Sequence, residues 1–299
     1  MVDDGKIDIF VPVLELHVMR KNFNGYRRYA LITGAASGMG RIYSKELALK
    51  GYNVVAVDIN AAGLDETESF VNAAVSSCDG IPMELKGAFR ILKVVQDLSA
   101  PDAADKVFAA TEAAECEVEV LVNNAGVMYC QGIAETSERM LNLIMMVHMN
   151  TPLMLCRKYV GPMKERKRGY ILNISSLAAW MNWPGIGMYG STKRFVRDYS
   201  RELRIECQRT GVSVTNAYFG AVDTPLIPIR PSLKKLARAL TVMISPEKAV
   251  RRALRATFFR CRGTMPGLLN KVFFPFIVIL PDFLLGWVYR MAKNHLMKV

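Results

Sequence analysis

The chain has 299 residues, 51% of them apolar, and a formal charge of +12 at neutral pH. That length and apolar content suit one large domain with a substantial core and extensions at both ends. Its six cysteines, at 78, 116, 130, 156, 207 and 261, form no C-x-x-C pair, and His17, His148 and His295 are scattered. This excludes a recognisable metal motif and reads as reduced thiols in a reducing, cytoplasmic compartment. The charge is uneven: residues 226–299 carry fourteen Lys and Arg against Glu247 and Asp282, so the whole excess lies there. Nucleic acid, an anionic membrane and an acidic ligand are all physically open to such a surface, as is a simply solvated basic face. The reading adopted is peripheral contact with an anionic membrane on its inner surface, and no nucleic acid.

Residues 1–26 lack the basic-then-apolar order of a signal peptide. Strand and helix patterns then alternate, which predicts a parallel sheet covered on both faces. Strands are expected at Tyr29–Thr33, Asn53–Val57, Arg90–Val95, Val118–Val122, Tyr170–Ile174 and Val212–Ala217. Helices are expected at Arg41–Lys50, 61–77, Pro101–Glu115, Ser137–Arg157 and Tyr189–Arg209. The stretch 78–90, with Gly80, Pro82 and Gly87, reads as an irregular insertion. In the tail, Ser245 is placed as a helix cap with Pro246 in the first turn. The apolar run Val272–Tyr289 is split by Pro281-Asp282 into pieces too short to span a bilayer, which needs about twenty apolar residues. It could lie in a membrane interface, cover the substrate or form a dimer contact.

Chemistry concentrates at Tyr189 and Lys193, four apart and so on one face of a helix. A phenol ordinarily titrates near about pH 10, and a neighbouring ammonium favours its ionised form. Such a pair can give or take a proton at a carbonyl or alcohol oxygen. Ser176 precedes Tyr189 by thirteen residues, at the end of a strand pattern. Upstream, Thr33-Gly34-Ala35-Ala36-Ser37-Gly38-Met39-Gly40 reads as strand, glycine turn and helix start, a cradle for a diphosphate. Asn123-Asn124-Ala125-Gly126 follows the fourth strand pattern.

These four motifs in this order resemble the short-chain dehydrogenase/reductase family over roughly residues 27–225. The resemblance implies an α/β, doubly wound parallel-sheet Rossmann fold. Residues 27–225 would form the catalytic core, with an N-terminal extension at 1–26 and a helical, basic lid and extension at 226–299. It implies catalytic roles for Asn150, Ser176, Tyr189 and Lys193. Asn150 would kink its helix by binding a water that links the lysine to solvent, Ser176 would hold the substrate oxygen, and Ser175 is the structural neighbour. Gly34, Ser37, Gly38, Met39 and Gly40 would cradle the diphosphate. Asp58 would accept the adenosine ribose hydroxyls and repel a 2′-phosphate, which favours NAD over NADP. Asp97 and Leu98 fall at the adenine edge. Asn124, Ala125 and Gly126 lie near the adenosine side, with a purely structural turn equally open for Asn124. Lys193 would bind the nicotinamide ribose and lower the tyrosine pKa. Gly220, Val222 and Thr224 complete the cofactor contacts, Thr224 at the carboxamide, although Phe219 stands where the family usually has proline.

Leu177, Trp180, Met181, Trp183, Pro184, Ile186, Met188, Tyr218 and Leu226 would line an apolar substrate pocket. The expected activity is NAD-dependent interconversion of a secondary alcohol and a ketone on a hydroxysteroid, bile acid or long-chain 3-keto lipid. The alternatives are a 3-ketoacyl reductase for carrier-bound chains and a non-catalytic NAD-binding protein. The resemblance also implies a homodimer or homotetramer, and no metal is expected. His148 reads as a packed histidine rather than a ligand.

Overall fold

A computed structural model describes residues 28–129, 131–180, 182, 186–223, 243–266, 281, 283–287 and 290. Seven parallel strands form one sheet in the order β3-β2-β1-β4-β5-β6-β9. They are β1 Arg28–Thr33, β2 Asn53–Asp58, β3 Ile91–Val95, β4 Glu117–Asn123, β5 Gly169–Ser176, β6 Val212–Phe219 and β9 Gly263–Thr264. A separate parallel pair joins β7 Ala221–Val222 to β8 Met243–Ile244. Strands buried on both faces need unbroken apolar runs, and Val54–Val57 and Val120–Val122 supply them.

The helices around the sheet, among the described residues, include α1 Gly38–Ala48, α2 Ala61–Ser76, α3 Met83–Lys86, α4 Ala103–Ala113, α5 Glu138–Met145, α6 Thr151–Glu165, α7 Gly187–Glu206 and α8 Pro246–Phe258. One core packs Tyr43 and Leu47 of α1, Leu64 and Val71 of α2 and Ala253 and Leu254 of α8 against one sheet face. The other packs Val107 of α4, Leu155 and Tyr159 of α6 and Val196 and Tyr199 of α7. α8 buries Ala249, Val250, Ala253 and Leu254 and exposes Lys248, Arg251, Arg252 and Arg255. Part of the basic excess is therefore the solvent face of an amphipathic helix, whose apolar face closes the core. Ser245 caps that helix by accepting from the Lys248 amide at 3.3 Å.

Two sequence expectations change. The helix over Ser137–Arg157, expected to kink at Asn150, is three segments: α5, a π turn at Met146–Asn150, and α6, which runs on to Glu165. Pro152 explains the break. It has no N–H to donate to the carbonyl four residues back, so the regular ladder cannot pass through it. β6 runs two residues past its expected end, to Phe219. A proline there would have ended the strand; Phe219 instead pairs in register with Ser176. The stretch 78–90 holds one short helix, α3.

An asparagine row crosses the sheet interior. Asn123, Asn173 and Asn216 are register partners on β4, β5 and β6. Asn123 Nδ2 donates to Asn173 Oδ1 at 2.7 Å, and Asn173 Nδ2 donates to Ser200 Oγ at 2.8 Å. Asn216 Nδ2 donates to the Val196 carbonyl of α7 at 3.4 Å, so this row ties three strands to α7 just below the site.

Candidate active site

The strand order reverses between β1 and β4, and a ligand crevice is expected outside the carboxyl ends of such a pair. A cleft of about 1140 Å³ lies there. Gly34 at the end of β1 and Gly38 at the start of α1 have φ of +69° and +51°, backbone that favours glycine. A Cβ on Gly34 would stand 2.9 Å from Ala125 Cα, so the two loops touch only because no side chain intervenes. Ser37 precedes α1 without a side-chain capping bond. The first amides of α1 therefore face the cleft as donors for an anion. Glycine loop and helix start together fit the diphosphate of a dinucleotide.

Asp58, at the end of β2, accepts from the Ala36 amide and the Asn60 amide, each at 3.0 Å. The carboxylate thus fixes the glycine loop while lining the cleft. Asp97 accepts from the Ser99 amide at 2.8 Å and its hydroxyl at 2.7 Å. Those donors hold its carboxyl below the usual range. Asn124 Nδ2 donates to the Thr33 carbonyl at 2.9 Å, so it braces β1 against β4 and also lines the cleft.

At the other end stand the titratable groups. Lys193, 5% exposed, donates from Nζ to the Ile174 carbonyl at 3.0 Å and lies 5.7 Å from the Tyr189 ring centroid. Burial lowers its pKa to about 8. Burial also raises the Tyr189 phenol above its ordinary value, against a lowering by a hydrogen bond with Ser176. The lowering of the tyrosine pKa expected from Lys193 is therefore not what the geometry gives. Desolvation raises that pKa, Lys193 is not among the causes of the shift, and the ammonium is turned toward a backbone carbonyl. Ser176 Oγ donates to the Phe219 carbonyl at 3.3 Å and accepts from the Ala178 amide at 3.1 Å. Ser175 Oγ donates to the Lys193 carbonyl at 2.9 Å, pinning the strand end to α7.

Gly34, Ser37, Gly38, Met39, Asp58, Asp97, Leu98, Asn124, Ala125, Gly126, Tyr189, Lys193, Gly220 and Val222 all line this one cleft. Ser176, at the end of β5, is not among the cleft-lining residues; its hydroxyl is bonded to the Phe219 carbonyl and the Ala178 amide. Gly40 lies below the loop, where a Cβ would overlap the Gly34 carbonyl. Asn150 ends the π turn, half-buried. Thr224 lies outside the described residues. The expected apolar wall is partly corrected. Leu177 is buried, and Trp180 packs against the Arg197 guanidinium at 4.2 Å and the Tyr218 ring at 5.8 Å, not on the cleft. Met181, Trp183, Pro184 and Leu226 lie outside the described residues. Met39, Met128, Leu143, Met146 and Val147 supply apolar lining instead. Among the described residues no group of three His, Cys, Asp or Glu could hold a metal. Nor is any helix among them long and apolar enough to cross a membrane.

His148 is packed as the sequence suggests, 1% exposed, but it is also bonded into the site. Its Nε2 accepts from the Val127 amide at 2.9 Å, and its Nδ1 lies 2.9 Å from Thr192 Oγ1. Sequence reading missed this, because neither partner is near residue 148 along the chain. Pro152, four residues on, was the available sign of unusual local backbone.

A nicotinamide-dependent oxidoreductase is the class that this fold and cleft define. A family profile described as short chain dehydrogenase matches residues 28–231, and the chain belongs to that family. It is 30% identical to a very-long-chain 3-oxoacyl-CoA reductase from Anas platyrhynchos over 290 residues, covering 92% of this chain and 80% of the relative. It is 30% identical over 205 residues to the 17-beta-hydroxysteroid dehydrogenase type 3 of Mus musculus, covering 67% of this chain. The match spans 61% of the mouse protein, less than two thirds of its length. A solved 7beta-hydroxysteroid dehydrogenase superimposes with a TM-score of 0.71 at 25% identity, covering 83% of this chain and 91% of that one. Steroid dehydrogenases and 3-oxoacyl-CoA reductases are among this chain's relatives.

Proposed function

We propose that the protein interconverts a secondary alcohol and a ketone on a hydrophobic substrate, a long-chain 3-oxoacyl compound or a steroid, with NAD as its cofactor. The observation that carries this reading is that Tyr189 and buried Lys193, with Nζ 5.7 Å from the phenol ring centroid, line the same cleft as the glycine loop and Asp58. When bound, the nicotinamide supplies or receives the hydride. Tyr189 gives the proton to the carbonyl oxygen in reduction and takes it back in oxidation. Ser176 orients both the phenol and the substrate oxygen. Lys193 holds the nicotinamide ribose and stabilises the phenolate as it forms. Asn150, at the end of the π turn, is the residue assigned to hold the water that refills the lysine proton.

Asp58 supports NAD. Its carboxylate is fixed at the end of β2 by two amides, and the residues that follow it are Ile59 and Asn60, neither of them basic. A 2′-phosphate would meet uncompensated negative charge. The long-chain 3-oxoacyl substrate is favoured by the Anas relative, whose match runs through 92% of this chain. Residues 27–225 are taken as the catalytic core, with the basic stretch 226–299 covering the substrate and touching an anionic membrane. A homo-oligomer formed through α6 and α7 belongs to the same reading. The test is turnover of a panel of long-chain 3-oxoacyl thioesters and steroid ketones with NADH and with NADPH. Reduction of neither ketone class sinks the proposal, and preference for NADPH sinks its cofactor half.

A further inference from the structure

A buried chain of hydrogen bonds joins the loop after β4 to the first turn of α7. The Val127 amide donates to His148 Nε2. That nitrogen must then carry a lone pair, so the neutral ring keeps its proton on Nδ1. Thr192 Oγ1 commits its own proton to the Tyr189 carbonyl at 2.9 Å. It therefore accepts from His148 Nδ1–H at 2.9 Å. The direction of every bond follows from the first. His148 and Thr192 are 1% and 0% exposed, so water cannot stand in for either.

We propose that His148 is a positioning residue for the reaction: an Nδ1-protonated strut that sets the spacing between the turn carrying Tyr189 and Lys193 and the cleft floor at Gly126–Val127. Its ring meets the Tyr189 ring edge to face, centroids 5.6 Å apart and planes at 76°. The catalytic phenol is therefore held through its backbone by Thr192 and through its ring by His148. Gly126 shows how tightly the parts fit. A Cβ there would stand 3.0 Å from His148 Nε2 and 3.8 Å from Lys193 Nζ, so histidine and lysine press on the same backbone. A protonated ring would turn an N–H against the Val127 amide and add a cation beside Lys193. Burial and the Lys193 charge both oppose that and hold the imidazole pKa well below its ordinary value. A histidine that merely fills core volume would not need two directed bonds to opposite walls of the cleft.

Two measurements on the full chain decide it. Side-chain ¹⁵N spectra, with His148 assigned by loss of its signals in His148→Phe, should show an Nδ1–H tautomer that does not titrate from about pH 5 to 8. An Nε2–H tautomer, or titration in that range, overturns the proposal. This arm needs no substrate, so it stands apart from the proposed function on which the kinetic arm rests. In the kinetic arm, with the ketone that the parent reduces fastest, His148→Phe and Thr192→Val should each lower kcat by on the order of tenfold or more. NADH affinity should stay within about threefold, and the double variant should be no slower than the slower single, because both cut one chain. Thr192→Ser, which keeps the hydroxyl, should restore most of the turnover. A parental kcat in Thr192→Val overturns the strut even if His148→Phe does not fold.

Discussion

The two ends of the cleft are built from different material. At the Asp58 end, recognition rests on backbone: glycines at positive φ, the first amides of α1 and an exposed-side carboxylate already bonded to two amides. At the Tyr189 end it rests on buried Lys193 and half-buried Tyr189, whose proton affinities are displaced by desolvation, Lys193 downward and Tyr189 upward. The first end is cheap to keep in shape and discriminates by charge. The second holds an ammonium in an apolar setting, at a cost to stability. Binding and chemistry should therefore separate under mutation.

Tyr189→Phe gives the largest expected effect. It should lower kcat by about 10³-fold or more, because the proton donor is lost, with NADH affinity nearly unchanged at the other end. Turnover within about tenfold of the parent would remove Tyr189 from its role.

Lys193→Met sharpens the contrast in two readouts. Activity should fall by about a hundredfold. Stability should rise. A shift from the ordinary lysine value of 10.5 to about 8 corresponds to about 3 kcal/mol, less about 1 kcal/mol for the lost bond to Ile174. The folded protein holds this proton less tightly than the unfolded chain does. The penalty is therefore full below about pH 8 and fades as pH rises from there toward 10.5. Urea midpoints at neutral and alkaline pH check this: the parent should gain stability over that window and the variant should not. The same displacements set the rate profile. Ketone reduction draws on a phenol that stays protonated through neutrality, whereas alcohol oxidation, which needs it deprotonated, should climb with pH above neutral.

Asp58→Asn addresses the binding end. Asparagine keeps one acceptor for the backbone amides but loses the charge, so the ratio of kcat/KM for NADH over NADPH should fall by about tenfold with kcat on NADH little changed. An unchanged ratio would place cofactor choice elsewhere. The smallest expected effect concerns α8. Reversing Lys248, Arg252 and Arg255 to glutamate should weaken sedimentation with anionic vesicles by at most about 1 kcal/mol per residue, as should high salt for the parent. Indifference of the parent to vesicles at low salt would end the membrane reading. Arg251 is left out because it pairs with Glu46 at 3.2 Å.

The sequence alone determined the architecture and most of the residues that line the cleft, because both depend on local pattern. Alternating apolar runs and glycine turns predict a parallel, doubly wound sheet, and Tyr189 and Lys193 announce themselves by helical spacing. The resemblance placed the residues that now share one cleft. Tertiary structure decided what spacing cannot encode. The kink expected at Asn150 took the form of a π turn, with Pro152 just beyond it. The pair Tyr189–Lys193 looked self-activating along the chain, but burial set both proton affinities against that simple picture, and desolvation is a property of everything packed around a residue. Trp180 looked like substrate wall until Arg197, seventeen positions on, took its face. His148 acquired its tautomer from Val127 and Thr192, partners twenty-one and forty-four residues away that only the closed sheet brings to its two nitrogens.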